Sequence, residues 1–432
     1  MLAAKVEMTP MTQATHRAAF FRQSGWLMIA NIASGALMWA VHFLSKKIGP
    51  QEYGLFGAFL SVVMCIPSMP LQMVMAHQTA QALATRRERE LAGMMRKVWL
   101  GTSLMWLAAC LIALFFQTTI ITRWKIAHPA GLWITLAVVL LSVWLPIFWG
   151  ALQGLQNFLW LGWSMMLNGV GRLTAAALAV MAFGAYAAGM MTGVLLGLAV
   201  AVAIGIWQTR ALWLGPSLPF DWRSLLRQVI PLLLGFGAFQ FLFTADTMFV
   251  KAYFDEDIAG FYVAAGTLSR ALMWLVGPLA AVMFPRIVHS VAKAEKSDLM
   301  GLVLLGTGIL AVMGALGLSV LGPWIVRFVS GEKFVQVAAS LLPWYAGAMV
   351  PLALANVLLN NLLARSFFRV VPALCVLATA YGFALTRFHD TPVVVLQTLA
   401  VFNLALLGVC AWFTWGSRKS IVATPEKPGV SL

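Results

Sequence analysis

The chain has 432 residues, 61% hydrophobic and only 10% charged, against roughly 25% charged in soluble domains. So few charges cannot cover a water-facing surface, which excludes a set of soluble domains and leaves a polytopic membrane protein; at about 20 apolar residues per crossing plus connections, there is room for on the order of 13 spans. The net charge of +15 comes from short basic tracts between apolar runs, the pattern of cytoplasmic loops, so no nucleic-acid partner is expected.

Residues 1–21 carry Lys5, Glu7 and Arg17 without an apolar core, so no removable leader is expected. Twelve spans are expected at 24–44, 55–77, 98–116, 130–152, 158–182, 187–209, 230–252, 260–284, 299–322, 337–363, 370–386 and 393–415. Runs of this length, without alternating ten-residue segments, point to helices rather than a barrel. Span two carries Gln72, His77, Gln78 and Gln81 toward its end, with His77 and Gln81 on one face. Gln153-Gly154-Leu155-Gln156-Asn157 marks the turn between spans four and five. Span five places Asn168 one turn before Arg172, and span six repeats Gly189, Gly193, Gly197, Ala201 and Gly205 at four-residue spacing, a ridge along which another helix can pack closely. Span seven contains Asp246, the only acid deep within a span, five residues before Lys251. Arg270 lies in span eight, and Asn356 and Asn360 share a face of span ten beside Asn361. Cys65, Cys110, Cys375 and Cys410 all fall within apolar runs at no metal-binding spacing, and are expected to be small buried hydrophobes.

Nineteen of the 29 Lys and Arg residues fall on the side of the termini and eight on the other, with Arg172 and Arg270 inside spans. Both termini are therefore expected in the cytoplasm. The chain also repeats itself. Phe20-Phe21-Arg22-Gln23 and Leu225-Leu226-Arg227-Gln228 open spans one and seven at an offset of 205. Gly54-Leu55-Phe56 and Gly260-Phe261-Tyr262 open spans two and eight, each after an acidic turn, at an offset of 206. Two six-helix units are expected, 17–209 and 222–416, with tails at 1–16 and 417–432; such internal symmetry is common in transporters, whose substrate sites lie between the repeats.

The stretch Ile48-Gly49-Pro50-Gln51-Glu52-Tyr53-Gly54-Leu55-Phe56 resembles the opening signature of polysaccharide-biosynthesis flippases, and residues 244–287 look like the same family again. That family belongs to the multidrug/oligosaccharidyl-lipid/polysaccharide exporter superfamily. The resemblance implies an all-α membrane protein of two six-helix bundles forming a V around a central cavity that opens alternately to each side. It implies a polyprenyl-diphosphate-linked oligosaccharide as substrate, moved from the inner to the outer leaflet of a bacterial inner membrane, with the bilayer and polysaccharide-assembly proteins as partners. Family members often carry further spans; with twelve here, no additional lipid-groove helices are expected.

An arginine at mid-bilayer costs at least about 2.5–3.5 kcal/mol on insertion scales, so it faces a wet cavity or a partner. Its planar fork suits phosphate oxygens. Arg172 and Arg270, from facing halves, are thus candidates to clamp a diphosphate, and the alternative is that each braces one helix against another. Asp246 has two readings: it binds a coupling proton or sodium ion, or it neutralises an intramembrane arginine. Asn168, Asn356, Asn360 and Gln72 are candidates for a neutral lining that hydrogen-bonds sugar hydroxyls, or for helix–helix hydrogen bonds. No phosphate-cradling glycine motif is present and Asp255-Glu256-Asp257 sits in a short loop, so neither a cofactor nor a glycosyltransferase metal site is expected. A transporter is expected rather than an enzyme. A cation-drug antiporter and a lipid II flippase of the same superfamily are the alternatives, followed by a membrane glycosyl-transfer enzyme.

Overall fold

The computed structural model describes the backbone of residues 13–292 and 299–416, and the side chains of residues 25–276 and 300–416 apart from Ser224. Residues 1–12 of the expected N-terminal tail, the expected tail 417–432, and Lys293 and Lys296 lie outside the described residues. The described elements are helical throughout: α1 (Gln13–Ala40), α2 (Ser45–Met64), α3 (Ser68–Ala84), α4 (Glu88–Phe115), α5 (Gln117–Arg123), α6 (Ala130–Gly154), α7 (Phe158–Phe183), α8 (Tyr186–Trp213), α9 (Trp222–Tyr253), α10 (Glu256–Ala292), α11 (Leu299–Val329), α12 (Glu332–Ala364), α13 (Val371–Arg387) and α14 (Pro392–Ala411).

Among the described residues, eleven helical stretches are long and apolar enough to cross a membrane, and the first, Gly25–Ala84, is 60 residues long. That is enough for two crossings. The chain reverses inside it. Gly49 adopts φ 79°, ψ 173°, and Pro50 follows; glycine tolerates the positive φ, and proline cannot continue the helix before it but suits the start of the next. The reversal brings His42 Nδ1 to 2.8 Å from the Tyr53 hydroxyl, a pair that a straight helix would hold about 16 Å apart. Twelve crossings result, as expected. Span two is not one helix, however: the chain breaks at Cys65–Pro67 between α2 and α3, because a proline denies the ladder an N–H. The helices also run past the apolar limits, α1 beginning at Gln13 inside the expected tail, since hydropathy marks the membrane and not the end of the backbone hydrogen bonds.

Two sets of helices pack internally. In the first, α7 lies between α1 and α8, and α6 packs on α3 and α8; in the second, α12 contacts α10, α11 and α14, and α9 contacts α13. The ridge on α8 forms the α7 contact: a Cβ on Gly193 would meet Ala176 of α7 at 2.5 Å, and one on Gly197 would meet the Asn168 carbonyl at 2.5 Å. Large apolar residues such as Met105, Leu111, Phe115, Leu302, Met313 and Val320 point outward, the surface a hydrocarbon solvent requires.

The two sets join chiefly through α2, which packs on α9 and α10. Gly54 and Gly57 meet Gly260 and Val263 there. The linker between the sets is strapped onto α4. Leu218 N–H donates to the Arg89 carbonyl at 2.9 Å, Arg96 donates to the carbonyls of Trp213 and Gly215, and Gly93 leaves room for the Leu218 carbonyl. Asp221 then caps α9 by accepting from Arg223 N–H at 3.1 Å.

Candidate functional site

The seam lies near the starts of α2 and α10, where Gly54 and Gly260 meet. Tyr53 and Thr267 hydroxyls are 3.3 Å apart across it, and Cys65 Sγ lies 3.0 Å from Thr244 Oγ1. Glu52 of the opening motif accepts from Ala187 N–H at 3.0 Å, where an anion suits a helix N-terminus. A cavity of about 410 Å³ opens between α3 and α4 on one side and the start of α9 on the other.

Within the second set, Asp246 is fully buried. Arg270 Nη2 donates to its Oδ1 at 2.7 Å, Tyr262 donates to Oδ2 at 2.8 Å, and the Tyr345 hydroxyl donates to Oδ2 as well. Arg270 also donates to the Phe243 carbonyl at 3.0 Å and to Thr247 Oγ1 at 2.9 Å. Its guanidinium carbon stands 5.6 Å from the Phe243 ring centre and 5.4 Å from that of Tyr345. A carboxylate out of water needs an opposite charge and donors on both oxygens; these three side chains supply them. Gly266 makes the room, since a Cβ there would lie 3.0 Å from the Tyr345 ring and 3.1 Å from Arg270 Nη1.

In the first set, Arg172 is half-buried on α7, and its Nε is buried without a hydrogen-bond partner among the described residues. It lies within electrostatic reach of His42. His42, Tyr53 and Thr267 thus form a polar chain from the neighbourhood of Arg172 to the second set. The structure pairs Arg270 with Asp246 in direct contact, while Arg172 stands apart from both.

The other expected residues are placed as follows. Asn168 is buried against α8, with its Nδ2 4.0 Å from Met38 Sδ of α1. Asn360 Nδ2 donates to the Asn356 carbonyl at 2.8 Å and to its side chain at 2.9 Å. Gln72 donates to Gln153 Oε1 at 3.3 Å. His77, Gln78 and Gln81 line the terminus-side cavity. Lys251 is buried, and its ammonium has no hydrogen-bond partner among the described residues. Of the cysteines only Cys410 is buried; Cys65, Cys110 and Cys375 are half-buried, because their helices face the seam or the lipid on that side, and all four are free. Among the described residues no group of three or more His, Cys, Asp and Glu stands ready to hold a metal ion. Tyr262, Tyr345, His42 and Tyr53 are the additions. His42 carries a sequence cue as an imidazole inside a span, and Tyr53 and Tyr262 stand in the paired stretches that open spans two and eight.

Comparison with known proteins fits this arrangement. The model of the family described as "Polysaccharide biosynthesis protein" matches residues 20–291. No curated protein sequence matches. Among solved structures, the chain is similar to an inward-facing multidrug resistance MATE family transporter of the MOP superfamily, with 13% identity and a TM-score of 0.66 over 90% of this chain and 95% of that one. It is similar to the lipid II flippase MurJ in an inward closed conformation, with 14% identity and a TM-score of 0.67 over 91% and 87% of the two chains. The eukaryotic MATE transporter AtDTX14 aligns at 13% identity and a TM-score of 0.58, over 94% and 98%. At such identities the likeness establishes the fold.

Proposed function

The chain belongs to the polysaccharide biosynthesis protein family, and we propose that this membrane transporter is a flippase that carries a polyprenyl-diphosphate-linked oligosaccharide from the cytoplasmic to the outer leaflet of a bacterial inner membrane. The observation that carries this reading is a family match over residues 20–291 on a two-set fold joined through α2, with a cavity between α3 and α4 of one set and the start of α9 of the other. With both termini in the cytoplasm, the orientation supported by the 19-to-8 charge asymmetry, the cleft faces the leaflet where the substrate is loaded. Residues 17–209 and 222–416 are then the two units that rock about the α2 seam.

Arg172 is assigned to the diphosphate. A buried donor without an acceptor costs about 1–3 kcal/mol, and a phosphate oxygen would satisfy it. Arg270, its charge balanced by Asp246 and its fork held by Phe243 and Thr247, is assigned a supporting place on the second-set wall. Gln72 and the Asn356–Asn360 pair are assigned to the polar wall, and Asn168 supports Arg172 from one turn away. Asp246, with both oxygens engaged, reads better as the fixed partner of Arg270 than as the site of a coupling proton or sodium ion.

The test is binding of a polyprenyl diphosphate to the purified full chain, against a neutral polyprenyl glycoside. A hydrogen bond to a charged group is worth about 1.5–3 kcal/mol, so Arg172→Ala weakens the diphosphate roughly 10- to 150-fold and spares the neutral lipid. Arg172→Lys keeps the charge but loses the fork, and retains part of the affinity. Equal weakening of both ligands would remove Arg172 from phosphate recognition. Preference for an organic cation over either lipid would favour the drug-antiporter alternative, and a requirement for a peptide-bearing lipid would favour the lipid II alternative.

A further inference from the structure

We infer that the terminus-side cavity is a carbohydrate subsite, distinct from the Arg172 region, that receives the uncharged glycan of the substrate; this rests on the flippase reading. Its walls come from α3, α4, α9 and the linker. His77, Gln78 and Gln81 come from α3, Gln228 from α9, and Phe220 and Asp221 from the linker. The three amides each offer a carbonyl acceptor and an NH₂ donor, which matches hydroxyl groups that both donate and accept. Phe220 adds an apolar ring beside them, the combination of an aromatic surface and a few placed polar groups that marks small-molecule sites.

Phe220 does not hang free. The strap of Leu218 on the Arg89 carbonyl, at 2.9 Å, fixes the chain two residues before it. The Trp222 ring then meets it edge-on at 6.1 Å. The cavity is also shared by both sets, with α3 and α4 on one side and α9 on the other. A glycan held here touches both halves at once, so the site exists only while the terminus side is open. The lining charges argue against an anionic ligand here. Arg87 is the one Lys or Arg among the lining residues and is outnumbered by Glu90 and Asp221, whereas a phosphate site would call for unopposed cations.

Gln72 lies nine residues before Gln81 on α3, about 14 Å along the helix axis. Nine residues are about two and a half turns, so Gln72 faces away from the cavity and hydrogen-bonds Gln153 of α6, which leaves Gln78 and Gln81 as the α3 amides of this site. Here sugars beyond the diphosphate would be met by the neutral amides of Gln78, Gln81 and Gln228, while the lipid tail stays in the bilayer.

The test uses the full chain in cells that assemble a surface polysaccharide, so the sugar need not be known in advance. A photoreactive benzophenone amino acid replaces Thr85, which lines the cavity, or Trp39, whose ring centre is 6.4 Å from that of His42 near Arg172. After illumination the adducts are weighed before and after mild acid, which splits sugar from diphosphate. The expected result is a saccharide-bearing adduct at position 85. Its yield falls about two- to tenfold for each amide removed in Gln78→Leu and Gln228→Leu, while capture of polyprenyl diphosphate at position 39 is unchanged. A sugar-free adduct or none at 85, with capture at 39 intact, would overturn the subsite and leave the flippase reading standing. No lipid at either position, with the variants present in the membrane at normal level, would overturn both.

Discussion

Gly54 and Gly260 stand 206 positions apart in the chain and touch each other in the fold. A Cβ on Gly54 would lie 2.8 Å from the Gly260 nitrogen, and Gly57 meets Val263, again 206 positions away, just as closely. A residue that contacts its own counterpart in the other repeat lies on the axis relating the two repeats, as in an isologous interface. The α2–α10 seam is therefore the place where the two halves share their pseudo-two-fold axis. The counterparts elsewhere are not alike. Asp246 and Arg270 correspond, at offsets of 205 to 206, to Ala40 or Val41 and to Met64 or Cys65. The seam is symmetric and the charge is not.

The first prediction concerns that seam. A Cβ on Gly260 collides with the Pro50 carbonyl, and backbone cannot step aside as a flexible side chain can. Overpacking of this kind costs about 1–3 kcal/mol. Gly260→Ala should lower the melting temperature in detergent and expose Cys65, at the other end of the seam, to a thiol reagent in a chain whose other cysteines are replaced. Unchanged melting and unchanged labelling would show that the halves are not held at this point.

The second prediction separates a structural from a coupling role for Asp246. Removing one member of a buried ion pair costs about 3–5 kcal/mol because the other charge is stranded, whereas replacing both with apolar groups is often neutral. Arg270→Met should therefore lower the melting temperature sharply, and Asp246→Leu combined with it should restore much of the loss. Asp246→Asn should retain the response of transport to an imposed proton or sodium gradient; loss of that response in a variant still present in the membrane would return Asp246 to ion coupling.

The third prediction concerns the α7–α8 ridge. A Cβ on Gly197 would press within 2.9 Å of the Arg172 nitrogen, so Gly197→Ala shifts the helix turn that carries Arg172. Diphosphate binding should weaken in Gly197→Ala and remain normal in Gly101→Ala, where a Cβ meets nothing within 4 Å. Equal affinity in both variants would uncouple the ridge from the site.

Orientation gives the fourth prediction. Cysteines placed between Arg86 and Lys97 should be protected from an impermeant thiol reagent in intact cells, and one at Glu256 should react. Labelling in the 86–97 stretch from outside would reverse the membrane orientation and with it the loading side of the cleft.

The helices were legible from residue type alone, because every span must satisfy its own peptide groups in hydrocarbon and must therefore be long and apolar. The repeat was legible at Gly54 and Gly260 for the same reason that they meet: close approach at the axis requires a residue without a side chain. The site was legible only in its charges. Asp246, Arg172 and Arg270 stand out among apolar neighbours, but which of them pair is set by helix packing between residues 24 positions apart. Tyr345 reaches Asp246 from 99 positions away, and one more aromatic residue in a chain 61% hydrophobic carries no periodic mark. The break in span two at Pro67 was visible as a proline within an apolar run, a position that bilayer helices tolerate, so its presence did not by itself announce an interruption.

The strap on α4 turns the connection between the halves into a short leash. Leu218 is fastened to one half and Trp222 begins the other, leaving Pro219, Phe220 and Asp221 between them. Fully stretched, those four steps span at most about 14 Å. However far the halves swing, the gap at this edge cannot widen beyond that reach unless the strap peels from Arg89 and Arg96. Any wider opening between the halves has to form along a different edge, so the linker fixes which side of the molecule stays narrow.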